Sequence, residues 1–471
     1  MNLKVTIVIV NWNKKIELMK LLDSIFQIDY DNYQVIVVDN ASDDDSVSAI
    51  HASALPITLI ENSQNLGGTG GFNSGLKFAV EHGHQDYIWL LDNDAIVTPL
   101  ALKALVNVME KDKTIALAGS KILNSDHPTK VVETGANIVW AAGNVAPLNQ
   151  NLNDSDALNA VFDVDYVAIC SALVRHSALG KVGLMDQRYF LLWDDMDWGM
   201  SFKRQGFRVV AVGDSIVQHA AFTEKRSALV DYYFGVRNPL LTISKHARGI
   251  DRLRGLSALL RRAMYFRFLF KVTGRKRQAL MSKAAVMDFL NERWGKFQNV
   301  PQGINTNQEN HCEQPDFRGK SILVLPLGSE VDINSMVQSL RKSYGDAIRL
   351  TLLIQTFRQN LFADQQLDAL IRFNPATQNV IAENFRVIAK VLKGQFDIAI
   401  TADLDKLTPF SFFVSKTYYY DSSQSNFIPL NEGLKQLWKV AYAFMVGELM
   451  AWILFPFVYR KSLYYQKQKD L

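Results

Sequence analysis

Short apolar runs alternate with segments of helical spacing over roughly the first 245 residues. This alternation is the strongest constraint on the fold. Residues 5–10 (VTIVIV), 35–38, 57–61 and 87–91 (YIWLL) are apolar-rich runs of strand length. Residues 14–26 place Ile16, Met19, Leu22, Ile25 and Phe26 on one helical side, and 75–82 and 99–111 read as further helices. The β-α-β-α order predicts a mostly parallel sheet with helices on its faces. Ligands then sit outside the carboxyl ends of the strands.

The motifs fall at those ends. Asp92-Asn93-Asp94 follows YIWLL directly. Two carboxylates one residue apart, at the end of a buried strand, suit a hard divalent cation that bridges phosphates. The competing reading is a strand-end turn with solvated acids, so the neighbours decide. One neighbour is the run Asn65-Leu66-Gly67-Gly68-Thr69-Gly70-Gly71-Phe72-Asn73, which leads into a helix. Its glycines let backbone N–H groups approach an anion, and a helix start adds partial positive charge. It matches neither the phosphate-loop pattern of nucleotide hydrolases nor the dinucleotide fingerprint. Asp39, at the tip of the second strand, is placed to accept hydrogen bonds from a base or ribose. Ser42 or Asp43 beside it can cap the next helix.

Trp193-Asp194-Asp195-Met196-Asp197-Trp198 packs three acids between two tryptophans. Neighbouring carboxylates and apolar surface raise proton affinity, which suits a general base. A charged helix start is the plain alternative. His219 ends the strand-like run 209–219. A lone histidine there is ordinarily structural, and it gains weight from the acidic pair elsewhere.

Composition fixes the setting. With 48% hydrophobic residues the 471-residue chain can bury real cores, and the net charge of +4 calls for no nucleic acid partner. Two cysteines, Cys170 and Cys312, build no disulfide framework and fit a reducing cytoplasm. The apolar run at the N-terminus is too short for a signal peptide. The sequence divides into 1–245, a basic helical segment 246–297, a polar linker 298–318, a small α/β domain 319–430 and an apolar helix 434–460. Residues 245–277 carry eleven Lys or Arg and one acid, Asp251.

Taken in order, VTIVIVNWN, VVDNAS, NLGGTGGFNSG, LLDNDA, WDDMDWG and VQH resemble a family-2 glycosyltransferase of the GT-A fold. The resemblance covers roughly residues 3–245. NLGGTGGFNSG, WDDMDWG and YYFGVRN (232–238) look most like bacterial galactofuranosyl- and rhamnosyl-transferases, which build cell-surface polysaccharides. It implies a GT-A nucleotide-diphospho-sugar transferase, with a mixed, mostly parallel sheet, an inverting metal-dependent mechanism and a saccharide or lipid-linked acceptor. Position by position, it implies that Asp39 holds the base or ribose. Asn65, Gly67, Gly68, Gly70, Gly71 and Asn73 line the donor site. Asp92 faces the ribose or a metal-bound water. Asp94 and His219 bind Mg or Mn, and Asp195 is the base. Trp193, Asp194 and Asp197 orient the acceptor. One departure stands out: many relatives carry Arg four residues after the last acid, where this chain has Ser201. Lys203 and Arg204 are the candidates to replace it.

Two rival readings fit the motifs less well. A sugar nucleotidyltransferase would show a Gly-rich basic loop after the first strand, where this chain has Asn11-Trp12-Asn13. A non-catalytic nucleotide-sugar-binding scaffold would shed site acids, yet all are present. The 20-residue apolar run 440–459 is long enough to span a bilayer. Glu448 within it, at about 2.5–3.5 kcal/mol if charged at the membrane centre, argues instead for an interfacial or re-entrant helix, or one packed on the protein. Arg460, Lys461, Lys467 and Lys469 beyond it would also oppose the positive-inside rule. The expected location is peripheral, on the cytoplasmic face of the inner membrane.

Overall fold

The structure is a computed structural model. It describes residues 3–219, 230–272, 276–297, 315–325, 330–355, 367–373, 380–401, 414, 416–421, 426–430 and 433–469. The linker read at 298–318 lies outside these residues except for its last four. The chain forms two compact units, Met1–Gln302 with Val446–Leu471, and Gly303–Met445.

The first unit begins β1 (Val5–Asn11), α1 (Lys15–Ile25), β2 (Tyr33–Asp39), α2 (Ser46–Ala52), β3 (Ile57–Glu61), α3 (Gly67–His82) and β4 (Tyr87–Asp92). Next come β5 (Ile96–Val97), α4 (Ala101–Lys111), β6 (Ile115–Asn124), β7 (Val131–Glu133), β8 (Ala136–Val139) and β9 (Asn144–Pro147). Then follow β10 (Val161–Asp163), β11 (Ser171–Arg175), α5 (Leu179–Val182), α6 (Asp194–Arg204) and β12 (Arg208–His219). The main sheet runs β10-β12-β6-β11-β4-β1-β2-β3, with β5 on β12 and β7 on β6. Strands β1 to β4 pair in parallel, as do β6 and β12, while β11 lies antiparallel between β4 and β6. This is the expected mixed sheet.

The apolar runs lack alternation because both faces are buried. Ile7 and Ile9 of β1 join Leu18 and Leu22 of α1 and Leu105 of α4 in one core. Val8 between them joins Phe72 and Leu76 of α3 and Trp198 and Phe202 of α6 in another.

Two sequence expectations need correction. Helix α3 starts at Gly67 rather than Gly75, so the glycine run is its first two turns. The glycines serve close packing: a Cβ at Gly71 would lie 2.5 Å from Val10 Cγ1, and one at Gly75 would overlap the Val8 side chain. The start of α2 is held by Asp44, not Ser42 or Asp43, its Oδ1 accepting from Ser46 N at 3.0 Å.

A π-helical turn, Val230–Phe234, leads into α7 (Gly235–His246), α8 (Gly249–Val272) and α9 (Lys276–Leu290). Their apolar side chains form a third core with Tyr189 and Trp193, and with Ala451, Val458 and Tyr465 of the last helix. The first unit thus extends well past residue 245.

The second unit holds β13 (Ser321–Leu325), α10 (Glu330–Tyr344), β14 (Arg349–Gln355), β15 (Ala369–Phe373), α11 (Val380–Lys393), β16 (Ile398–Thr401), β17 (Lys416–Asp421) and β18 (Asn426–Leu430). Its sheet order is β15-β14-β13-β16-β17-β18, parallel except at β17–β18. Ile322 and Val324 face the α10 core, Leu323 and Leu325 the α11 core. The final helix, α12 (Gly433–Lys469), belongs to the first unit from Val446 onward. There Glu448 accepts from Arg261 Nε at 2.6 and 2.8 Å, so the acid inside the apolar run is paired.

The close contact of α3 on β1 gives a direct test. Gly75→Ala should destabilise the protein by about 1–3 kcal/mol through overpacking against Val8 and Val38. Denaturant unfolding measures this. Unchanged stability would mean that the helix can move off the strand freely.

Candidate active site

Strand register builds the site. Val10 of β1 lies opposite Asp92 of β4, and Asn11 opposite Asp39 of β2, so all four reach one carboxyl edge. The short β5, two residues past Asp94, pairs antiparallel with β12. That pairing brings His219, the last residue of β12, beside the Asp-Asn-Asp turn. His219 Nε2 is 2.9 Å from Asp94 Oδ1 and 3.9 Å from Asp92 Oδ2. One ligand atom from each of Asp92, Asp94 and His219 lies within 4.8 Å of the others.

Two carboxylates and an imidazole at this spacing fit a divalent cation that accepts oxygen and nitrogen ligands. Positive groups already gather there, since Lys14 Nζ lies 2.6 Å from Asp94 Oδ2. Burial works against the Asp94 charge, but hydrogen bonds from His219 and Lys14 outweigh it and hold this carboxyl below its usual range. Asp92 goes the other way. Burial pushes it up to about 6, partly offset by His219.

Next to these residues is a cavity of about 410 Å³, lined among others by Gly68, Asp92, Glu133, Asp194, Asp195 and His219. Asp194 and Asp195 open α6 and project into it. Thr69 Oγ1, from the first turn of α3, donates to Asp194 Oδ2 at 2.7 Å. Burial raises the proton affinity of Asp195, and the charge of Asp194 adds to it. Burial likewise raises Asp194, against the Thr69 hydrogen bond. The approach to these acids is strained: Phe190, Leu192 and Trp193 are left-handed, with φ of 65°, 65° and 69°. Each such non-glycine residue costs of order 1–3 kcal/mol.

The remaining expected residues divide. Asp39 is buried, its Oδ2 accepting from Ser42 N at 2.8 Å and its Oδ1 from Asn11 Nδ2 at 3.2 Å. Asn65 Oδ1 accepts from Gly67 N at 2.7 Å and so orders the start of α3. Gly68 lines the cavity, whereas Gly67, Gly70 and Gly71 are packed against Phe190, Leu66 and Val10. Asn73 does not reach the cavity lining. Both ends of its amide bond the backbone of Met185, at 2.8 and 3.0 Å. Asp197 is also turned away, bonded by Lys245 Nζ at 2.6 Å, His246 Nε2 at 2.7 Å and Tyr189 OH at 3.1 Å. Neither candidate for the missing arginine lines the cavity. Lys203 pairs with Asp165 at 2.5 Å, and Arg204 donates to Lys245 O at 3.1 Å.

Sequence reasoning missed several contributors. Glu133 is 5% exposed and lines the cavity, and among the described residues its Oε1 has no hydrogen-bond partner. Burial pushes its carboxyl up to about 7. Thr69 and Lys14 were hidden because a lone hydroxyl or lysine has no pattern. Asn40 ties the loop together, donating to Gly67 O at 2.9 Å and accepting from Leu66 N at 3.0 Å.

The family profile described as Glycosyltransferase like family 2 matches residues 3–265. The galactofuranosyltransferase GlfT2 of Mycobacterium tuberculosis is 26% identical over 206 residues, covering 40% of this chain and 32% of that protein. The galactofuranosyltransferase GlfT1 of the same species is 28% identical over 205 residues, covering 42% of this chain and 64% of that protein. The match thus spans about a third of the length of the GlfT2 relative. A solved structure of GalNAc-T7 with UDP, GalNAc and Mn2+ has a TM-score of 0.45 at 13% identity, covering 62% of this chain and 56% of that one. The profile covers more than half of the residues, including every carboxylate of the cavity, and on that ground the chain belongs to Glycosyltransferase like family 2.

Proposed function

We propose that this protein is an inverting, metal-dependent glycosyltransferase of cell-surface polysaccharide synthesis. It takes a sugar, galactofuranose or rhamnose, from a nucleotide diphosphate. The observation that carries this reading is one cavity lined both by Asp92 and His219 of the Asp-Asp-His cluster and by Asp194 and Asp195. The named galactofuranosyltransferase relatives support the choice of sugar.

Asp39 holds the base or ribose at the tip of β2, and Gly68 at the start of α3 lines the donor side of the cavity. Asp92 would face the ribose or stand beside the bound metal. Asp94 and His219 would hold Mg or Mn, which when bound neutralises the leaving diphosphate. Asp195 takes the proton from the acceptor hydroxyl. The acceptor oxygen bonds to the anomeric carbon from the face opposite the diphosphate as the carbon–oxygen bond to diphosphate breaks. One displacement inverts the centre, and no enzymic nucleophile is required. Trp193 and Asp194 border the acceptor side. Because burial raises Asp195, its base form is lost as pH falls, so the acidic limb of the rate profile lies above the usual carboxylate range.

The acceptor is a saccharide or a lipid-linked saccharide, met at the cytoplasmic face of the inner membrane. The support is α12. Ala451 and Val458 on one side pack into the third core, while Leu449, Trp452, Ile453 and Phe457 on the other are more than half exposed. Helix α8 beside it carries exposed Arg254 and Lys271, which suit an anionic surface at about 1 kcal/mol per basic group. A helix packed lengthwise on the first unit in this way lies in the interface instead of crossing it.

Four outcomes follow. Mn2+ should raise the melting temperature of the wild type, and Asp94→Ala or His219→Ala should remove both that shift and transfer. Full transfer in excess EDTA would remove the metal from the mechanism. With a panel of UDP-, GDP- and TDP-sugars, Asp195→Asn should cut transfer by about 10²-fold or more while the donor still binds. NMR of the product should show the anomeric configuration opposite to the donor's, and retention would exclude a single displacement. Trp452→Glu with Phe457→Glu should abolish sedimentation with phosphatidylglycerol vesicles at low salt. Equal sedimentation of both proteins would rule out this face as the membrane contact.

A further inference from the structure

We infer that Arg237 and Asn238 are positioning residues of the transfer reaction, holding the strained 188–193 loop that turns Asp194 and Asp195 into the cavity. This rests on the reading of Asp195 as the base.

Both side chains are fully buried on α7. The Asn238 amide nitrogen lies within hydrogen-bond distance of three carbonyls of the loop, Tyr189 at 3.0, Leu191 at 2.7 and Leu192 at 2.8 Å. Arg237 Nη2 donates to the carbonyls of Arg188 at 3.1 Å and Tyr189 at 3.0 Å. Arg237 Nε donates in turn to Asn238 Oδ1 at 3.0 Å, which fixes the amide orientation. Two adjacent side chains therefore bind four carbonyls within residues 188–192.

The loop needs that grip. Left alone, Phe190, Leu192 and Trp193 would relax out of the left-handed region, which non-glycine residues avoid. Relaxation at Trp193, directly before α6, would swing the first helical residues, Asp194 and Asp195. A buried carbonyl also tolerates no loss of its donor. The far end of the segment is anchored by the same helix: Lys245 Nζ bonds Asp186 Oδ2 and Asp197 Oδ2, each at 2.6 Å. Helix α7 thus clamps the acid-bearing segment before, within and after the loop. Neither Arg237 nor Asn238 lines the cavity described above, so contact with substrate is not their role.

The test is hydrogen exchange on the full-length protein, with transfer measured alongside on the most active sugar of the UDP, GDP and TDP panel. Asn238→Ala should speed exchange in the 186–197 peptide by about tenfold or more and leave peptides of β1 to β4 unchanged. Its kcat should fall by about tenfold or more, with donor KM within about threefold. Glycine takes positive φ without strain. Asn238→Ala should therefore accelerate exchange of this peptide at least about threefold less in a Leu192→Gly background than in the wild type. Should Asn238→Ala fail to fold, Arg237→Lys, which keeps the charge but loses the fork, should show the same local pattern. Unchanged exchange at 186–197, or the same acceleration in both backgrounds, overturns the inference. Asp195→Asn separates the two readings. If it still transfers, the base assignment fails whatever the loop does. If it is inactive while Asn238→Ala leaves the loop protected, only the positioning role fails.

Discussion

Like charges crowd one small space in this protein. Asp92, Glu133, Asp194 and Asp195 line a single cavity, and Asp94 stands at its edge. Carboxylates this close raise one another's proton affinity, and burial adds to the effect. The fold answers in two ways. At the sheet edge Lys14 and His219 hydrogen-bond Asp94, and its carboxyl stays below the usual range. At the start of α6 the fold supplies fewer such partners, and the carboxyls keep elevated proton affinity. One cavity thus holds an ionised acid suited to a metal and an acid suited to receiving a proton. That division is the electrostatic basis of the proposed reaction.

The two halves of the site are built differently. The metal-side residues stand at strand ends, where register fixes them: Asp92 follows from the pairing of β4 with β1, and His219 from β12 held by β5. The α6 acids depend on a loop with three left-handed residues and on helices that follow the sheet in sequence. This explains why residues up to about 290 pack as part of the same unit. Without α7 the segment before α6 would lose its anchors. The last helix completes this helical layer through Ala451, Val458 and Tyr465, which links the proposed membrane contact to the core behind the acids.

Much of this was legible in the sequence. Strands buried on both faces announce themselves as unbroken apolar runs, and VTIVIV and YIWLL became β1 and β4. The acids at strand ends were found because spacing along one strand survives folding unchanged. What was missed depends on contacts between distant segments. Glu133 enters the cavity from β7 and Thr69 bonds Asp194 from α3, and neither carries a local pattern. The glycine run reads in sequence as a ligand-approaching segment ahead of the helix, because glycine disfavours helix interiors. Here the approach of α3 to Val8 and Val10 outweighs that propensity. Asp197 looked equivalent to its neighbours in sequence, yet one helical turn aims it at Lys245 and His246. Asn73 was drawn in by its motif, whereas its amide is spent on Met185.

In the proposed reaction a divalent cation and the leaving diphosphate would meet at the carboxyl edge of the sheet. Anomalous diffraction at the manganese edge, from crystals grown with Mn2+ and UDP, addresses it most directly. The expected result is one strong peak within coordination distance of Asp94 and His219, with Asp92 beside it and the diphosphate directed toward Asp195. A peak elsewhere, or UDP bound without any peak at this cluster, would contradict it.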